Sequence, residues 1–187
     1  MRYYYIHGFN SGENSSTVER LRCALNEDVV CLSYDSSKSF EENYASLIGQ
    51  VGGDEDFCVV GTSLGSFYAN LVASFYGVSC VMFNPVVDAV EELSQFVGEN
   101  VNYATGNKYM FTEDVLQSYK NAPDNVVSIP RMIFVSSEDE VLQNNVSKVY
   151  NKFSHYAEIY VIDGAHRICD FTPFVTQIKE TANCFCV

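Results

Sequence analysis

The chain is predicted to fold as α/β, with a mostly parallel six-stranded sheet and helices on both faces. Two observations carry this reading. Short apolar runs recur along the chain between longer amphipathic or polar stretches, and several of those runs are continuously apolar, as strands buried on both faces tend to be. Such alternation folds with right-handed crossovers, which place helices on the two faces in turn.

The strand candidates are 3–6, 29–33, 57–61, 79–83, 131–136 and 158–162. Helix candidates fall between or after them at 16–26, 40–50, 64–76, 143–153 and 171–181. One interval breaks the rhythm. Residues 85–129 contain no convincing strand, but they hold helical pieces and the aromatics Phe96, Tyr103, Tyr109, Phe111 and Tyr119. A stretch that long is not a plain loop. It reads as a small helical cap inserted over one end of the sheet. With no internal repeat and no low-complexity linker, the 187 residues are expected to form a single domain.

Composition narrows the function classes. With 47% apolar and 19% charged residues the chain is an ordinary globular protein. A net charge of −13 argues against nucleic acid and against anionic lipid as partners, since both are held by clustered Lys and Arg. A strongly anionic substrate would need a local basic patch, and no basic run is present. Met1-Arg2 leads straight into Tyr3-Tyr4-Tyr5-Ile6, and no apolar stretch reaches membrane-spanning length. The seven cysteines are odd in number, and Cys58 and Cys80 lie in apolar runs. A reducing, cytoplasmic setting is expected, which leaves the sequons at Asn14 and Asn145 idle. Cys184-Phe185-Cys186-Val187 has the spacing of a prenylation box, but without an upstream polybasic stretch it reads as a frayed tail. The expected state is a monomer or homodimer.

The strongest local signal is Gly61-Thr62-Ser63-Leu64-Gly65, which follows the apolar run Phe57-Cys58-Val59-Val60 and opens a helix. A serine on so tight a strand-to-helix turn projects its hydroxyl over the sheet edge, while flanking glycines let strand and helix approach closely. The bare pattern arises by chance in roughly one chain in twenty of this length, so the strand-turn-helix setting is what makes it informative. The bland alternative is a structural glycine-rich turn. Leu64 N–H, at the positive end of the helix, can point at a developing oxyanion.

A serine hydroxyl needs a base to take its proton as it attacks. Of three histidines, His155 sits at a helix end and reads as a surface residue. His7 precedes Gly8 at the end of the first strand. His166 follows the last strand, on a loop reaching the same sheet edge as Ser63, and its place after an acid matches the order Ser…Asp…His of α/β-hydrolases. The acid lies in Ser136-Ser137-Glu138-Asp139-Glu140-Val141. Distance from the strand and the apolar pair that follows favour Asp139, with Glu138 and Glu140 as solvated neighbours and Asp163 as an outsider too close to His166 in sequence. A second oxyanion donor is expected at Phe9 N–H, presented by His7-Gly8-Phe9-Asn10-Ser11-Gly12 after the first strand; the bland reading of that segment is a simple turn. Asp54-Glu55-Asp56 reads as a solvated turn. No metal set, Walker motif or dinucleotide fingerprint is found, and no cofactor is expected.

At this point the chain resembles a known family. Tyr5-Ile6-His7-Gly8-Phe9-Asn10-Ser11 is similar to the opening of the YqiA-like esterases, small α/β-hydrolases. Gly61-Thr62-Ser63-Leu64-Gly65-Ser66-Phe67-Tyr68-Ala69 resembles their elbow and its helix. Phe83-Asn84-Pro85-Val86, Val97-Gly98-Glu99-Asn100, Tyr103-Ala104-Thr105-Gly106, Asp139-Glu140-Val141-Leu142 and Gly164-Ala165-His166 complete a collinear likeness. The resemblance implies a compact α/β-hydrolase core without the two leading strands of larger relatives, a triad of Ser63, Asp139 and His166, and hydrolysis of small-molecule acyl esters or acyl thioesters. Glu138 stands where the family often has glycine, and Asp163 replaces one of two glycines before the histidine. The added negative charge disfavours anionic carriers and so favours esters over coenzyme A thioesters. Two other outcomes are open: an amide or peptide hydrolase on the same triad, and a non-catalytic binding protein on a hydrolase fold.

Overall fold

The computed structural model describes residues 1–124 and 127–184. Phe185, Cys186 and Val187, on which the tail motif depends, lie outside the described residues, as do two positions of the insertion.

Six parallel strands form the main sheet: β1 (Arg2–Ile6), β2 (Val29–Leu32), β3 (Phe57–Thr62), β4 (Ser79–Phe83), and, after a hairpin of β5 (Gly98–Val101) and β6 (Lys108–Phe111), β7 (Arg131–Ser136) and β8 (Glu158–Ile162). The order across the sheet is β2-β1-β3-β4-β7-β8. All six anticipated strands are present, and the mixed sheet that was allowed for is wholly parallel. The chain moves outward from β1 to β2 and returns to the other side of β1 as β3. Strand order therefore reverses between β1 and β3, and a crevice opens there at the carboxyl ends of the strands.

Side chains alternate across the sheet and are buried on both sides. Tyr4, Ile6, Val59, Met82 and Ile133 pack with helices α2 (Phe40–Val51), α3 (Leu64–Tyr76) and α6 (Asn145–Phe153). Tyr3, Tyr5, Cys58, Val60, Phe83 and Phe134 pack on the other side with α1 (Ser16–Leu25) and α7 (Val175–Ala182). The central strands can be apolar throughout because neither of their faces meets water. Helix α2 starts on a capping box of Ser39 and Glu42, and α3 ends on Gly77 in the left-handed region, φ 70°.

The insertion between β4 and β7 carries α4 (Ala89–Leu93) and α5 (Glu113–Ser118), as its helical reading anticipated, together with the antiparallel β5–β6 hairpin, which that reading missed. Each hairpin strand is four residues long with alternate residues exposed, and β5 (Gly98–Val101) carries no apolar run to mark it. Its turn is closed by the Asn102 side chain, which accepts from the N–H groups of Ala104 and Thr105, rather than by a two-residue Asn-Gly signal. Among the described residues, no helix is long and apolar enough to cross a membrane.

Candidate active site

The serine turn is built by two close approaches. A Cβ on Gly61 would lie 2.4 Å from the Gly65 carbonyl oxygen, and one on Gly65 would lie 2.1 Å from the Ile6 carbonyl oxygen. Only glycine lets α3 start this near β3 and β1. Between them Ser63 sits at φ 56°, ψ −125°, a conformation that a side chain rarely adopts. The strain is held by Ser63 N–H donating to Phe83 O (2.9 Å), and by Ser66 Oγ, which accepts from Phe83 N–H and donates to Phe83 O. The hydroxyl of Ser63 is thereby raised above the end of the sheet.

His166 reaches it from the loop after β8. Its Nε2 is 3.0 Å from Ser63 Oγ, and its Nδ1 is 2.8 Å from Asp139 Oδ2. The Asp139 side chain is only 3% exposed. Burial pushes its carboxyl up, but the bond from His166 and the N–H groups of Leu142 (2.8 Å) and Val141 (2.9 Å) outweigh that, and the group is held below the ordinary aspartate value. An ionised carboxylate only accepts, so Nδ1 carries the proton and Nε2 is left to accept from the serine. Residues 63, 139 and 166, far apart in sequence, thus meet in one hydrogen-bonded line.

The residues of the two expected backbone donors line the same space. Gly8 abuts the serine, since a Cβ there would lie 3.4 Å from Ser63 Cβ, and Phe9 and Leu64 line a cleft of about 710 Å³ with Ser63 and His166. That volume suits a small organic molecule. Among the described residues, neither Phe9 N–H nor Leu64 N–H donates to a protein acceptor.

Three residues with no assigned part prove to shape the site. Asn84, at φ 44°, donates through Nδ2 to Ser136 Oγ (2.9 Å) and His166 O (2.7 Å), while Ser136 N–H donates to its Oδ1 (2.6 Å). It ties the end of β4 to the end of β7 and to the histidine loop. Glu140 was read as a solvated neighbour, but its Oε2 accepts from His166 N–H at 2.9 Å. Asn10, at φ 56° and 3% exposed, receives the Tyr109 hydroxyl on Oδ1 and Tyr103 N–H on its carbonyl (2.8 Å), which fastens the β5–β6 hairpin to the loop carrying Phe9. The available signal was asparagine at a loop position, a residue that tolerates left-handed backbone.

The other predicted features fall out simply. His155 and Asp163 are exposed, and it is Asp139 that bonds His166 Nδ1. Asp54 is more than a solvated turn, for it accepts from Arg2 and Tyr4. The insertion's aromatics divide: Phe96 and Tyr103 line the cleft, while Phe111 and Tyr119 are buried in the core.

His7 is fully buried and stacked on Tyr34 at 4.5 Å. Tyr34 N–H donates to its Nε2, so Nδ1 holds the proton and donates to Gly8 O (2.9 Å). Burial pulls its pKa down to about 4. The unfolded chain takes up this proton near pH 6.5, whereas the folded chain refuses it until about pH 4. Stability is therefore complete above pH 6.5 and falls as pH drops from there toward 4, by about 3 kcal/mol in all. Urea midpoints from pH 7.5 to 4.5 should show this slope in the natural protein and lose it in His7→Gln. Equal slopes in the two would refute the assignment.

Comparison with known proteins gives a concordant picture. The family described as Uncharacterised protein family (UPF0227) matches residues 2–183. A UPF0227 protein of Serratia proteamaculans (strain 568) is 24% identical over 184 residues, covering 94% of this chain and 95% of its own. Among solved structures, Est1E from Butyrivibrio proteoclasticus superposes with a TM-score of 0.69 at 17% identity, over 96% of this chain and 85% of that one. The esterase domain of a Rhodothermus marinus protein does so with a TM-score of 0.69 at 16% identity, over 97% and 88%. These likenesses show the α/β-hydrolase fold.

Proposed function

The chain belongs to the uncharacterised protein family UPF0227, and from that premise we propose that it is a serine hydrolase of small-molecule carboxylic esters. The observation that carries the reading is the line Ser63 Oγ–His166 Nε2–His166 Nδ1–Asp139, with links of 3.0 and 2.8 Å, standing on a strained serine turn at the rim of a cleft. The names of the structural neighbours, an esterase domain among them, agree with it.

Ser63 Oγ attacks the ester carbonyl carbon as His166 Nε2 takes its proton. Negative charge gathers on the carbonyl oxygen, where Phe9 N–H and Leu64 N–H receive it. Asp139 keeps the imidazole in the tautomer that can accept, then balances the imidazolium. The C–O bond breaks, the alcohol leaves with the proton from Nε2, and Ser63 carries the acyl group. Water, deprotonated by the same nitrogen, attacks the acyl-enzyme and releases the acid. The apolar wall of the cleft, Val86, Leu93, Phe96 and Leu142, receives the acyl chain. Surface thiols at Cys23, Cys169 and Cys184 fit a reducing, cytoplasmic setting.

A fluorophosphonate probe tests the assignment. One adduct per chain is expected, mapped to Ser63 by peptide mass and absent from Ser63→Ala. An adduct that survives this substitution, or no adduct on the natural protein, would defeat the reading.

A further inference from the structure

The cleft is lined from both faces of the sheet. Phe9, Val86, Leu93, Phe96 and Leu142 belong to the apolar cluster of one face. Asn14, Ser15, Ser16 and Thr17, at the start of α1, and Arg167, bonded to Ser16, add polar lining beside the cluster of the other. Apart from His166, the charged lining residues are Glu92 and Arg167, and Glu92 is held by Lys148. Arg167 is different. Its Nη2 donates to Ser16 Oγ at 2.7 Å, a neutral partner that also lines the cleft, and among the described residues it has no carboxylate partner. Arg167 is exposed at the cleft, so in a chain with 24 acidic and 11 basic residues its remaining N–H donors stay open to an anionic ligand. A guanidinium has five N–H donors in a planar fork that matches a carboxylate.

Its place in the reaction follows from the chemistry already proposed, on which this inference rests. The departing alcohol takes its proton from His166 Nε2, so it must leave on the histidine side, and Arg167 is the next residue in the chain. The apolar wall serves the acyl chain. We propose that Arg167, steadied by Ser16, is a specificity residue that receives a carboxylate on the leaving group, so that the preferred substrate is an acyl ester of a hydroxy- or phenol-carboxylic acid. A monoanion is matched by one cation, whereas a more highly charged group would meet the −13 field of the protein without compensation. Ser63 acquires the acyl group, and the hydroxy acid leaves with the histidine proton.

The test compares 4-acetoxybenzoate with neutral 4-acetoxybenzamide, each kcat/KM divided by the ester's own hydroxide-catalysed rate. The natural protein should favour the anion about tenfold, the size of one solvent-accessible charge-assisted hydrogen bond, and added salt should shrink the preference. Arg167→Met should bring the ratio to about one, with Arg167→Lys intermediate. A ratio near or below one in the natural protein, or one that Arg167→Met leaves in place, overturns the subsite. Fluorophosphonate labelling of the same samples separates the two failures. If Ser63 labels but the ratio shows no preference, or neither ester turns over, the subsite alone is wrong. If nothing labels and nothing turns over, the hydrolase reading falls and takes the subsite with it.

Discussion

Ser63→Ala, His166→Ala and the double variant are expected to lose nearly the same factor in kcat on a short aryl ester, about 10⁶ each. The equality matters more than the size. Two residues that act independently would multiply their losses. In the proposed mechanism the hydroxyl is nucleophilic only while Nε2, 3.0 Å away, accepts its proton, so removing either partner would remove the whole event. What survives comes from the cleft and the backbone donors, which neither substitution touches. Asp139→Asn should cost less, about 10⁴, because the imidazole stays in place but its favoured tautomer is reversed. Steady-state rates on the purified variants, with circular dichroism to establish folding, decide the matter. Losses that multiply in the double variant would mean that the serine and histidine do not share one proton.

Gly65→Ala should cost more than about 3 kcal/mol, beyond ordinary overpacking and a large part of a small domain's total stability. Its Cβ would sit 2.1 Å from Ile6 O and 2.4 Å from His7 O. Both are backbone atoms, Ile6 at the end of a strand paired on both sides and His7 just after it, so no side chain can swing aside, and α3 or the end of β1 must move. Either shift disturbs the carbonyls next to Gly8. The control is Gly49→Ala in α2, where nothing lies within 4 Å of the new methyl. That change should stabilise by about 0.5–1 kcal/mol through helix propensity. Urea unfolding of the two variants reads the contrast, and similar midpoints would disprove the close-approach argument.

The central strands were legible because burial on both faces leaves an uninterrupted apolar run. Strands β4, β7 and β8 begin and end at the anticipated residues, and β1, β2 and β3 differ by one residue at an end. The spacing of Ser63, Asp139 and His166 along an alternating chain likewise placed them at one edge, since the loops after parallel strands open on the same side. What escaped was what depends on contacts between distant polar groups. Asn84 meets Ser136 and His166 across 52 and 82 positions, and no periodicity encodes such a bond. Glu140 looked solvated because its side chain is, although one oxygen holds the His166 amide. The hairpin was hidden by its brevity and its exposure.

That hairpin bears on how members of this family could diverge. Asn10 gives its carbonyl and its side-chain oxygen to Tyr103 and Tyr109, so the cap and the loop that carries Phe9 are mechanically one piece. Under the proposed mechanism, a change in the hairpin that lines the cleft would also move the amide assigned to the carbonyl oxygen. Substrate range and turnover number would then change together.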